Sequence, residues 1–144
     1  MSAPASPLPL PYGPPITLAL AREVAAAAEQ EALRHQWPMA IAIMDSTGHL
    51  AHFIRIDGTQ LASMDIAIAK AASAVNYRRP TKVFEDMLAA GGAGLRALSL
   101  PGAMAVAGGN LLVKDGHVIG AIGVSGMAAA DDAVVAQAGA DALT

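Results

Sequence analysis

Apolar residues recur at helical spacing from the start of the patterned part of the chain, at Leu20, Val24, Ala27, Ala28 and Leu33. Thr17 precedes them as a helix cap and Pro38 forbids continuation, so the first element predicted is a helix. The run MAIAIM over Met39–Met44 has strand composition, Asp45-Ser46-Thr47-Gly48 has turn chemistry, and His49–Ile56 reads as a returning strand. After Asp57-Gly58, the residues Leu61, Met64, Ile68, Ala71 and Val75 form one helical stripe within residues 60–78, ended by Arg78-Arg79-Pro80. Thr81 caps a shorter helix through Leu88, which the glycines at 91, 92 and 94 break, and a short turn precedes Pro101. Two or three strands follow, over Ala103–Ala107, Leu111–Lys114 and His117–Val124, the last two joined by a tight hairpin turn at Lys114-Asp115-Gly116, and Ala129–Leu143 closes as a helix. The expectation is an α/β (α+β) fold, a mainly antiparallel five-stranded sheet with flanking helices.

Composition narrows this picture. One domain is expected over residues 16–144, preceded by a Pro-rich tail over residues 1–15 that holds six prolines and lacks the charged and apolar regions of a signal peptide. The core is built from Ala, Val, Ile, Leu and Met, since aromatic residues are only 3% of a chain that is 54% hydrophobic. So apolar a chain with so few charges is expected to bury surplus surface in a homo-oligomer. A net charge of -3 and few stacking side chains argue against nucleic acid, and no apolar run approaches the roughly 20 residues of a membrane span, so a cytoplasmic protein is expected. The absence of cysteine excludes disulfides and thiolate chemistry.

The stretches MAIAIMDSTGHLAHFIRIDG, DIAIAKAASA, RRPTKVFE and AGGNLLVKDGHVIGAIGVSG, followed by DDAVVAQAGADAL, occur in an order that resembles the GlcG/HbpS-like family, found also as the C-terminal part of PduO proteins. The resemblance covers roughly residues 16–143. It implies a profilin-like α/β sandwich, oligomeric assembly and, in some members, haem binding. Many members carry a proline shortly after the double glycine, where this chain has Asn110 and Leu111.

The residues themselves point to an anionic ligand. Five of the nine Lys and Arg lie between residues 55 and 82: Arg55, Lys70, Arg78, Arg79 and Lys82. Arg78 and Arg79 beside Thr81 are placed to clamp a carboxylate, or else are helix-end charges favoured by the dipole. Lys70, inside AIAKAASA, either belongs to a site or extends its charge to solvent from the helix edge. Gly108, Gly109 and Ser125 permit close backbone approach to a ligand, or serve as bulges and packing contacts. For haem an axial donor is needed, and His49, expected to share a strand face with Phe53 and Arg55, is the leading choice among four histidines. Asp131 and Asp132 read as first-turn acids stabilised by their helix. The leading function is therefore binding of haem or a related small anionic ligand in an oligomer. The alternatives are an isomerase or deaminase acting on a small unsaturated or hydroxy carboxylate in catabolism, with Lys70 or Glu85 moving a proton, and a structural oligomerisation domain.

Overall fold

The computed structural model describes residues 8–143. The first helix, α1, runs Leu18–Arg34, its first turn capped by Thr17 Oγ1, which accepts from the Leu20 amide. Strands β1 (Ala40–Asp45) and β2 (Leu50–Arg55) form the first hairpin; α2 (Ala62–Tyr77) and α3 (Thr81–Ala90) follow, then a 3-10 helix over Gly92–Ser99. A second hairpin, β3 (Gly109–Lys114) and β4 (His117–Ser125), leads to α4 (Ala129–Asp141). The strands make one antiparallel sheet in the order β2-β1-β4-β3.

Side-chain alternation divides this sheet between two helical layers. Ile41, Ile43, Leu112, Ile122 and Val124 face α1 and α4 in the larger core cluster, while Ala40, Ala42 and Met44 face Ala67 and Ala71 of α2. The second layer lies close because the sheet presents small residues there: a Cβ on Gly123 would come within 2.0 Å of the Ala67 carbonyl oxygen. Small side chains thus replace the missing aromatic anchors, as the composition requires.

Among the described residues the sheet has four strands, not five, in the order β2-β1-β4-β3, so the expected five-stranded, profilin-like arrangement is not formed. The segment Ala103–Ala107 has strand composition but no strand partner. Its amides are taken by side chains of the helical layer instead: Met104 donates to Ser73 Oγ at 3.0 Å and Ala107 to Glu85 Oε1 at 3.2 Å. Ladder pairing begins only at Gly109. Pro80, not Thr81, occupies the N-cap position of α3, with no side-chain capping bond, and the Thr81 hydroxyl accepts instead from the Gly109 amide.

The second part of the expected tail is tied down. Pro11 accepts from the Val118 amide, while Gly13 and Ile16 donate to Val118 and Ile119, so this segment continues alongside β4 beyond the end of β1. Residues 1–7 lie outside the described residues. Among the described residues, no helix is long and apolar enough to cross a membrane.

Candidate functional site

Two concavities hold the chemistry of the chain. The first is a cleft of about 160 Å³ between α3, α4 and the start of β3, lined by Pro80, Lys82, Gly108, Gly109, Asn110, Ala133, Ala136 and Gln137. Beneath its glycines lies Lys70. The buried face of α2 comprises Ala67, Lys70, Ala71 and Ala74, helical spacing that drives the ammonium into the protein. Nζ donates to Val124 O at 3.0 Å and to Asp132 Oδ2 at 2.8 Å, with the two side chains 1% and 3% exposed. The Met127 amide satisfies the other Asp132 oxygen at 3.0 Å. Burial pushes the Asp132 carboxyl above its usual range, against the opposing pull of Lys70 and the Met127 amide. Gly108, at φ +125°, covers this pair, and a Cβ there would sit 2.8 Å from Lys70 Nζ. The pair therefore ties α2, β4 and α4 together below the cleft floor.

Glu85 and Thr81 close the same region. Glu85 Oε1 accepts from Ala107 and Oε2 from Lys82 at 2.8 Å, and the Lys82 ammonium, followed by the Ala107 amide, holds the carboxyl below its ordinary range. A depressed pKa means that the stabilisation is present above the pKa of a free glutamate and is lost as pH falls through the lower, folded value. The Ala107 amide proton shift should accordingly titrate with a midpoint below the ~4.3 of an unperturbed glutamate. An NMR midpoint at or above that value would contradict the contact.

Lys70, Thr81, Glu85, Gly108 and Gly109 thus come together, whereas the other expected ligand residues do not join them. Arg78 sits at φ 52° after α2, donates to Leu10 O at 3.2 Å and lies over the Tyr12 ring. Arg79 precedes a cleft wall, but its Nε donates to Tyr77 O at 3.0 Å and its guanidinium lies 5.8 Å from the Phe84 ring centre. Arg55 is exposed at the end of β2, paired across the sheet with Ala40. Ser125 is buried, its hydroxyl turned to Ser63. His49 lies outside β2, in the hairpin turn, with Nδ1 2.8 Å from Thr47 Oγ1. It does not share a strand face with Phe53 and Arg55, because the β1–β2 register shifts where Ile43 pairs with His52 and Met44 with Leu50, leaving Ala51 unpaired.

The second concavity is a groove of about 400 Å³ lined by Pro14, Pro15, Ile16, Thr17, Leu20, Lys114, Asp115, His117 and Ile119. Asp115 and Gly116 take φ 51° and 75°, the two left-handed positions of a two-residue hairpin turn, which sets Lys114 directly opposite His117. Opposed residues share a face, so an ammonium and an imidazole stand side by side at this groove. His117 Nδ1 is 2.8 Å from Asp115 O. A carbonyl only accepts, so Nδ1 carries the proton and, in the neutral ring, Nε2 carries the lone pair. Among the described residues, no group of three or more His, Asp or Glu is arranged for a metal ion.

The family model described as "Haem degrading protein HbpS-like" matches residues 16–141. The chain belongs to this HbpS-like family. Protein GlcG of Escherichia coli K12 is 37% identical over 106 residues, 74% of this chain and 78% of GlcG. A double mutant of Streptomyces reticuli HbpS superposes with a TM-score of 0.83 at 29% identity, covering 100% of this chain and 99% of that one. A PduOC:haem complex superposes with a TM-score of 0.80 at 26% identity over 90% of this chain and 96% of the other. This HbpS-like chain is thus structurally close to a haem-bound homologue.

Proposed function

We propose that this HbpS-like chain is a binding protein that holds haem or a related anionic ligand and works as a homo-oligomer. The reading is carried by how the two proton-transfer candidates are used. Lys70 is sealed against Asp132 and Val124, and Glu85 is engaged by Lys82 and Ala107, so neither is poised to move a proton on a bound carboxylate. Haem needs apolar walls, an axial donor and cations for its propionates. The 400 Å³ groove offers Leu20, Ile16 and Ile119 as walls, the His117 imidazole and the Lys114 ammonium. The 160 Å³ cleft lies below the roughly 300–1,000 Å³ of ordinary ligand pockets and suits only a small anion.

Oligomer formation is supported by apolar surface gathered on one excursion of the chain: Val83 on α3, Leu95 and Leu98 on the 3-10 helix, and Val106 are all exposed, Leu98 to 75%. Multi-angle light scattering should give an assembly larger than one chain, and a stable folded monomer at low concentration would contradict it. Calorimetric titration with hemin should saturate, whereas a small dicarboxylate such as fumarate should be neither bound tightly nor turned over. Turnover of such an acid, lost on Glu85→Gln or Lys70→Met, would establish the enzyme reading instead.

A further inference from the structure

We infer that the groove between the N-terminal segment and the β3–β4 hairpin is the seat of a planar, carboxylate-bearing macrocycle, with His117 Nε2 as donor to its metal and Lys114 as partner of a carboxylate. This builds on the binding reading above and assigns it a place and residues.

The turn supplies the first argument. With both left-handed positions filled by Asp115 and Gly116, the hairpin fixes His117 and Lys114 as a facing pair, and the Asp115 carbonyl fixes the ring tautomer. A histidine prepared as a metal donor has this arrangement: one nitrogen held by a backbone oxygen, which orients the ring and fixes its tautomer. His35 is instead engaged with Glu31 and stacked on Trp37, and Nδ1 of His49 is taken by Thr47 in an exposed turn.

The wall opposite supplies the second. The N-terminal segment crosses His117 at Gly13, where a Cβ would lie 2.6 Å from the His117 Cβ, so the approach requires glycine. Pro14 and Pro15 then carry the chain without amide donors of their own, giving an apolar wall that faces Leu20 and Ile119. The Ile16 amide, bonded to Ile119 O at 2.9 Å, anchors its end. Charge is sparse and mixed at the mouth: among the described residues, Lys114 is the ammonium and the exposed Asp115 the one carboxylate lining the groove. A flat apolar ligand with one carboxylate directed at Lys114 is accommodated, whereas a compact polyanion is not.

Hemin titration of the full chain, followed by its Soret absorption, tests this. The unaltered chain should give a saturable, sharpened Soret band. His117→Ala should abolish the ligated spectrum and weaken binding at least tenfold, added imidazole should restore the band, and Lys114→Glu should weaken binding with the ligated spectrum kept. His49→Ala should leave both unchanged. His117 is exposed, so circular dichroism of the variants should match that of the parent. A His117→Ala spectrum identical to the parent's overturns the assignment while leaving haem binding in place. No saturable band in the parent chain overturns the binding reading and this assignment with it.

Discussion

Replacing Lys70 with methionine is expected to cost about 3–5 kcal/mol of stability, the cost of leaving one member of a buried ion pair without its partner. Asp132 would then keep only the Met127 amide in a site where it is 2% exposed. For a chain of this size each kcal/mol moves the melting temperature by roughly 2–4 °C, so a drop of roughly 6–20 °C is expected in a thermal scan. Asp132→Asn should act similarly, since it leaves the Lys70 charge uncompensated. The double variant Lys70→Met with Asp132→Asn should lose much less than the sum, because the two side chains interact directly. Additive losses would mean that the 2.8 Å contact contributes nothing as a pair.

Gly123→Ala is expected to cost about 3 kcal/mol, the upper part of the range for overpacking, because what it would strike is backbone. The new methyl would lie 2.0 Å from Ala67 O and 2.5 Å from Ala71 N, atoms that move only if α2 lifts from β4. That displacement would also disturb Lys70, whose bond to Val124 O depends on the same approach. Gly102→Ala serves as the comparison: its φ of +72° carries strain, but a Cβ there meets nothing within 4 Å, so its cost should be about 1 kcal/mol. Urea unfolding of the two variants checks the order, and equal losses would show that helix-to-sheet packing is less tight than described.

The elements governed by local chemistry are legible in the chain: the Thr17 cap, the presence of α1 and α2, and the tight turn around Asp115-Gly116. The buried faces of those helices are rotated from the expected stripes, since Leu33 and Leu61 are exposed while Ala21 and Ala25 of α1 and Ala67 and Lys70 of α2 are buried. The elements settled by distant groups are not legible. Ala103–Ala107 has the composition of a strand, and its fate depends on Ser73 and Glu85, far away in sequence. Simple alternation does not place His49, because the register shift that leaves Ala51 unpaired breaks the period of two between His49 and Phe53. For Asp132 the helix dipole offers a sufficient local reason for a first-turn acid, so its partner is not evident from the sequence. A signal was present, however. Asp132, Val135, Ala136 and Gly139 lie at i, i+3, i+4 and i+7, so the acid stands on the buried stripe of α4, as Lys70 stands on that of α2. Two opposite charges on two buried stripes are expected to find each other. Lys70, Thr81 and Glu85 stand out singly by residue type and spacing, but their gathering around Gly108 and Gly109 depends on the fold, and the groove depends on the path of the N-terminal segment over Gly13, which no local pattern encodes.

The most direct test of ligand binding at the groove is the NMR spectrum of the ¹⁵N-labelled chain titrated with ferric hemin, whose paramagnetic iron broadens the amides nearest to it. A ligand seated in the groove should give selective loss of the Ile16–Leu20 and Lys114–Ile119 signals, with those of Lys82, Gly109 and Asn110 retained. Broadening centred on the cleft or on the His49 turn, or no saturable broadening at all, would contradict it.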